Sequence, residues 1–238
     1  MRFDVHSSFR VAAMLLPCIA MSVASAEPLK GEAELGLVAT SGNSDTQTIN
    51  AKLGLTKETE EWTHKADLAA LNNASDDETT AEKYSLGWQS DRKLDDVSYL
   101  YVIASYEDDR FSGFDYQATL GAGYGYKVIN EEKRVLTLEI GPGYRINALP
   151  EGDDEKEVTV RLGEKFSWQF SDTAELEQYL TVETGEDNTV SRLGAAVKST
   201  LTDTLALKVG VDIKHTEEVP DDRDDTDTET YATISYSF

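Results

Sequence analysis

From Leu29 onward, apolar and polar residues alternate with a period of two and almost nowhere with helical spacing. Between Thr48 and Thr56, Ile49, Ala51, Leu53 and Leu55 share one face; Thr48, Asn50, Lys52, Gly54 and Thr56 share the other. Farther on, Tyr116, Ala118, Leu120, Ala122, Tyr124, Tyr126 and Val128 oppose Gln117, Thr119, Gly121, Gly123, Gly125 and Lys127. Near the C-terminus Leu205, Leu207, Val209, Val211 and Ile213 oppose Ala206, Lys208, Gly210, Asp212 and Lys214. The pattern predicts about twelve strands, near residues 31–40, 47–57, 62–71, 82–92, 97–107, 115–128, 134–144, 157–170, 174–184, 189–201, 204–215 and 228–238. Most are longer than the five or six residues usual in soluble sheets.

The spacers alternate too. Glu58 to Glu61, Lys93 to Asp96, Ile129 to Lys133, Ser171 to Thr173 and Thr202 to Asp203 are short, whereas Asn72 to Ala81, Arg145 to Lys156 and Thr216 to Asp227 are longer. Long strands with short turns at one end and longer loops at the other predict an all-β fold, an antiparallel transmembrane β-barrel of about twelve strands, with ten to fourteen allowed. Closure follows from physics, because every backbone polar group inside hydrocarbon needs a partner and an open sheet leaves edges. Trp62, Trp88, Tyr99, Tyr101, Tyr144, Trp168, Phe170, Tyr236 and Phe238 are expected at the two membrane interfaces. The last segment, YATISYSF, sets Ile234, Tyr236 and the terminal Phe238 on one face. It is similar to the C-terminal signal read by the barrel assembly machinery, which is therefore an expected partner alongside outer-membrane lipid.

Composition alone suggests something else, an acidic soluble protein. The 238 residues hold 22 Lys and Arg against 45 Asp and Glu, a net charge of −23. That balance argues against a nucleic-acid partner. No apolar run is long enough for a spanning helix. The N-terminus carries Arg2 and Arg10, an apolar stretch from Val11 to Ala24, and the small-residue pattern Ala24-Ser25-Ala26. Residues 1–26 are therefore expected to be a secretory signal peptide cleaved before Glu27, and residues 27–238 the barrel domain. The single cysteine, Cys18, follows Pro17 inside the apolar stretch, which disfavours lipid attachment there. The predicted outer loops carry most of the negative charge, which gives the barrel an anionic outer rim.

The stretch Tyr99 to Val128 (YLYVIASYEDDRFSGFDYQATLGAGYGYKV), with Glu32 to Asp45 ending in SGNSD and the run Ile140-Gly141-Pro142-Gly143-Tyr144, carries a family likeness. It resembles the bacterial family named for salt-induced outer membrane proteins, a domain family of unknown function. The resemblance spans most of residues 30–238 and implies an outer-membrane barrel. The family's name records a circumstance of expression, and no catalytic residues come with it.

Candidate chemistry is sparse. Most hydrolytic barrels need a histidine beside Ser, Asn or Asp, and beyond the leader the chain offers only His64 and His215, both outward by parity. The expectation is no catalytic site, no cofactor and no metal site, with weak divalent-cation association at the acidic loops such as Asp221 to Asp227. Parity places Lys52, Lys65, Lys83, Lys127, Arg161, Lys165, Arg192 and Lys208 in the lumen, against acids including Glu139 and Asp212. These charges either pair and fill a closed barrel or line a water-filled passage. The leading expectation is a small pore or structural barrel of the cell envelope linked to salt or osmotic adaptation. The alternatives are a lipid- or peptide-hydrolysing barrel enzyme, or a surface module binding through its acidic loops. Glu164, on an otherwise apolar face of Val158 to Phe170, has no evident reason to be there.

Overall fold

The computed structural model describes residues 28–40, 46–75, 78–150, 153–219 and 224–238. The expected leader and its cleavage residues lie outside them. Twelve strands form one closed antiparallel barrel: β1 (Lys30–Thr40), β2 (Thr46–Glu58), β3 (Trp62–Ser75), β4 (Glu78–Lys93), β5 (Ser98–Asp109), β6 (Tyr116–Glu131), β7 (Arg134–Ala148), β8 (Glu155–Gln169), β9 (Ala174–Thr184), β10 (Thr189–Thr200), β11 (Leu205–Thr216) and β12 (Thr226–Ser237). Each strand pairs with its sequence neighbour, and β12 returns to β1. Apolar residues point outward on every strand, among them Leu37, Leu68, Val102, Leu120, Ile140, Val160, Val197 and Ile234. Buried polar residues point inward, among them Glu34, Asn50, Asp91, Glu139, Arg161 and Thr233. The hydrophobic surface is therefore outside, where only lipid can cover it.

Several strands run farther toward the long-loop end than the alternation predicts. β3 continues to Ser75, β4 starts at Glu78 and β7 reaches Ala148. In the β3 and β4 extensions both faces are mostly polar, as in Asn72-Asn73 and Thr79-Thr80, whereas in β7 Ile146 and Ala148 alternate with Arg145 and Asn147. Ladder hydrogen bonds persist beyond the hydrocarbon although the hydrophobic pattern has stopped.

Four of the five short turns share one device. Thr59, Ser171 and Thr202 each use a hydroxyl oxygen to accept a backbone N–H two or three residues on, from Trp62, Thr173 and Leu205. Asp95 does more, with its carboxylate accepting the N–H groups of Val97 and Ser98 and the Ser98 hydroxyl. Such side chains stand in for a missing ladder partner, which is why Ser, Thr and Asp favour turns.

Closure is uneven. β1 and β2 stay in register from Lys30–Thr56 to Thr40–Thr46, whereas β1 and β12 do so only from Glu32–Ser237 to Leu35–Ile234. Gly31 and Phe238 extend the seam by exchanging backbone bonds of 2.8 and 2.9 Å, and the Phe238 ring lies where a side chain at Gly31 would stand. Beyond Leu35 the seam is held from inside, where the Asn50 amide on β2 donates to Glu229 on β12. The Lys52 ammonium sits 4.1 Å from the centre of the Tyr231 ring.

Candidate functional site in the barrel lumen

The lumen has two unlike walls. On β5, Tyr99, Tyr101 and Ile103 turn inward and are 8%, 1% and 8% exposed. This corrects the expectation that Tyr99 and Tyr101 belong to an interfacial girdle. The other seven aromatics of that set do face outward. The inward rings fit because β6 presents glycine opposite them. A Cβ at Gly125 would collide with the Tyr99 ring, one at Gly123 would stand 2.6 Å from the Tyr101 hydroxyl, and one at Gly121 would press on Ile103.

A polar cluster packs against these rings. The Glu139 carboxylate accepts hydrogen bonds from the Tyr99 hydroxyl (2.7 Å), Gln89 (2.9 Å), Arg161 (2.9 Å) and Lys165 (3.1 Å). Lys165 also donates to the Gln89 carbonyl at 2.9 Å. Gln89 lies on β4, whereas Glu139 and Lys165 lie on β7 and β8, so these bonds span the interior. The Arg161 guanidinium stands 5.8 Å from the centre of the Tyr101 ring.

The adjacent wall, β2 to β4, presents small residues. Gly54, Ala69, Ser85 and Gly87 border a cavity of about 1030 Å³ that also touches Lys30, Thr56 and Ser237 at the short-turn rim. A second cavity of about 440 Å³ lies toward the long loops, near Lys83, Asp109, Asp227 and Glu229. The two share Lys52, Ala69, Ser85, Glu107 and Arg192 as lining, so they adjoin.

Above them the lumen is bridged. Lys214 on β11 reaches Glu107 on β5 at 2.5 Å and the Gln117 carbonyl on β6 at 2.6 Å. β5 and β11 stand six strands apart in the ring of twelve, so this ion pair crosses the full width. Arg145 pairs with Glu157 close by and donates to the backbone carbonyls of Glu183 and Asn188. Gly113, at φ 84°, lets the β5–β6 loop turn Phe114 inward. Phe114, 6% exposed, shares a cavity of about 220 Å³ with Lys214 and Asp227. Asp227, in a spacer expected to form part of the outer rim, belongs instead to β12, and with Glu107 and Glu229 it lines the cavity near the long loops.

Most of the remaining charges assigned to the lumen by parity are paired. Lys52 meets Asp212 at 3.1 Å and Lys65 meets Asp91 at 3.4 Å. Arg192 approaches Glu183 at 3.6 Å, and Lys208 binds Glu177 at 2.9 Å and Glu34 at 3.0 Å. Lys83 lines the upper cavity. Lys127 sits beside a bulge at the short-turn rim, where it donates to the Asp96 carbonyl at 3.2 Å.

The lipid-facing surface answers two further questions. Glu164 accepts a 2.7 Å hydrogen bond from Gln178 on β9, its diagonal neighbour across the strands, so an outward carboxylate finds a donor on the same face. His64 lies on the outside, stacked 5.8 Å from Trp62, with its Nδ1 2.8 Å from the Ser90 hydroxyl. Ser90 is only 5% exposed beneath it. His215 contacts the Thr226 hydroxyl at 2.9 Å. Among the described residues, no three acids or histidines converge as a metal site would require. The loop acids Asp221 and Asp222 lie outside the described residues.

An all-β closed barrel with an apolar exterior and a charged interior defines the outer-membrane β-barrel class, and known structures agree. The translocator domain of the autotransporter NalP from Neisseria meningitidis has a TM-score of 0.55 at 15% identity, over 90% of this chain and 89% of that one. A NanC porin structure has a TM-score of 0.50 at 9% identity, over 88% of this chain and 98% of that one. Residues 33–238 match the family described as "Protein of unknown function, DUF481", and the chain belongs to that family. The uncharacterized protein YdiY of Escherichia coli (strain K12) is 29% identical over 214 residues, covering 89% of this chain and 84% of that protein.

Proposed function

We propose that this protein is a narrow channel of the outer membrane that admits small hydrophilic solutes and ions. The observation that carries this is the pair of adjoining cavities along β2 to β4, reaching from the short-turn rim to the Lys214–Glu107 bridge. A barrel filled only for rigidity has no need of a glycine, alanine and serine wall facing empty space, and charged linings of both signs are what a water-filled passage uses. The Lys214 bridge and Phe114 narrow the outer end, so conductance is small. The resemblance to salt-induced outer membrane proteins fits a part in envelope permeability and osmotic adaptation.

Passage is favoured over catalysis by the outward surface. His64 and Ser90 are within hydrogen-bond distance, but Ser90 is covered by the ring it touches, with no room for a substrate carbonyl. Purified protein in planar lipid bilayers is expected to give reproducible small current steps that scale with salt. No steps across a wide range of salt and voltage would contradict the proposal. Hydrolysis of lipid or peptide substrates that is lost on replacing His64 would support an enzyme instead.

A further inference from the structure

Among the described residues, the luminal ion pairs leave Asp67 without a partner. Asp67, on β3, turns inward and lines the larger cavity. Among the described residues no side chain donates a hydrogen bond to it or forms an ion pair with it. Its in-register neighbours are Gly54 on β2 and Gly87 on β4. A Cβ at Gly54 would lie 3.4 Å from its Oδ1, and one at Gly87 would lie 3.7 Å from its Cβ, so neither neighbour covers the carboxylate. The cations nearest to it electrostatically are Lys65, Lys165 and Lys208. Each is already held by another acid: Lys65 by Asp91, Lys165 by Glu139, and Lys208 by Glu34 and Glu177. Every lysine that would neutralise Asp67 is engaged elsewhere, and the space in front of it is open.

We infer that Asp67 is the cation-contact point of the passage, a carboxylate reserved for a permeating monovalent cation. This deepens the channel reading and rests on it. The chemistry is that of a selectivity site: an anionic group in a narrow low-dielectric cleft raises the local cation concentration and repels anions. The neighbouring glycines give a hydrated ion room to approach from the cavity side. The acids beside the three lysines are neutralised by them, so close to Asp67 its own carboxylate sets the sign of the preference.

Reversal potentials across a tenfold KCl gradient test this in planar bilayers at about pH 8, where an ordinary carboxylate is ionised. The unaltered protein should prefer K⁺ over Cl⁻. Asp67→Asn should lower the K⁺/Cl⁻ permeability ratio by roughly three-fold or more, with conductance steps still present, and Asp67→Glu should keep the preference. Gly87→Lys, which brings an ammonium beside Asp67 from the open side, should abolish the preference without altering the carboxylate. It is the second test should Asp67→Asn fail to give the heat-modifiable folded form. Channels whose ion preference is unchanged in Asp67→Asn or in Gly87→Lys would overturn this inference and leave the channel reading standing. Absence of channels in the unaltered protein would overturn both.

Discussion

The two walls of the lumen are built from the same kind of strand and do opposite things. Along β5 to β8, Tyr99, Tyr101 and Ile103 fill the interior against Gly121, Gly123 and Gly125, and Glu139 ties four donors together behind them. Along β2 to β4, Gly54 and Gly87 flank Asp67, and nothing fills the space in front. Glycine serves both walls for different reasons. On β6 it makes room for a neighbour's ring, whereas on β2 and β4 it leaves room for solvent. What decides between them is the partner strand: β5 supplies large rings, and β3 supplies one short acid and Ala69.

The largest effect expected from breaking this contrast is at β6. Gly123→Leu puts a branched side chain into the Tyr101 hydroxyl and the Ile140 backbone, so no folded, heat-modifiable barrel should form. Gly87→Ala, on the open wall, should assemble normally, with a stability change below about 0.5 kcal/mol. Urea titration in lipid vesicles compares the two.

Next comes Glu139→Ala, which leaves Arg161 and Lys165 without their shared carboxylate and should cost about 3 kcal/mol by the same titration. If it costs as little as Gly87→Ala, the polar cluster is not what holds the packed wall. A smaller, functional effect is expected from Lys214→Ala. Removing the bridge to Glu107 and Gln117 opens the outer constriction and should raise single-channel conductance roughly two-fold with the fold intact.

The smallest effect concerns the turn at Asp95, outside both walls. Hydrogen bonds from the Ser98 hydroxyl and the Val97 and Ser98 N–H groups hold its carboxyl below the usual range. A lowered carboxylate pKa stabilises the fold above the group's ordinary pKa, and that contribution is lost as pH falls through the lowered value. Hydrogen exchange at the Val97 and Ser98 amides, corrected for intrinsic rates, should therefore show less protection in strong acid than at neutral pH, with the strand interiors unaffected.

Much of the barrel was legible in the sequence because lipid imposes a strict alternation wherever a strand touches it. Thr48 to Thr56 shows it without exception, and Leu205 to Lys214 departs from it only at Ala206. The strand extension into Asn72–Ser75 was not legible, since a strand polar on both faces has no apolar side to mark it, and in Arg145–Ala148 only Ile146 and Ala148 carry the alternation on. Tyr99 and Tyr101 were misplaced for a related reason. From Tyr99 to Ala104 both faces are apolar, so parity alone cannot tell lumen from lipid. The usable signal was on the next strand, where Gly121, Gly123 and Gly125 alternate with residues that face lipid and leave a slot on the inside. The luminal pairs were beyond reach for another reason. Lys214 and Glu107 are far apart in sequence and meet only because β5 and β11 stand opposite each other once the ring closes. The same holds for Asp67, whose character depends on which lysines its neighbours have already taken.

The central claim is that the open passage hugs β2 to β4 while the β5 to β8 side is solid. Thiol blocking of single-cysteine variants during current recording tests it most directly, because the chain's one cysteine, Cys18, lies in the expected leader. Ala69→Cys and Ser85→Cys on the open wall should react with a bulky water-soluble thiol reagent and lose about half their current or more, while Thr137→Cys on the packed side should react slowly and lose little. Unchanged current in Ala69→Cys and Ser85→Cys together with block of Thr137→Cys would contradict the account.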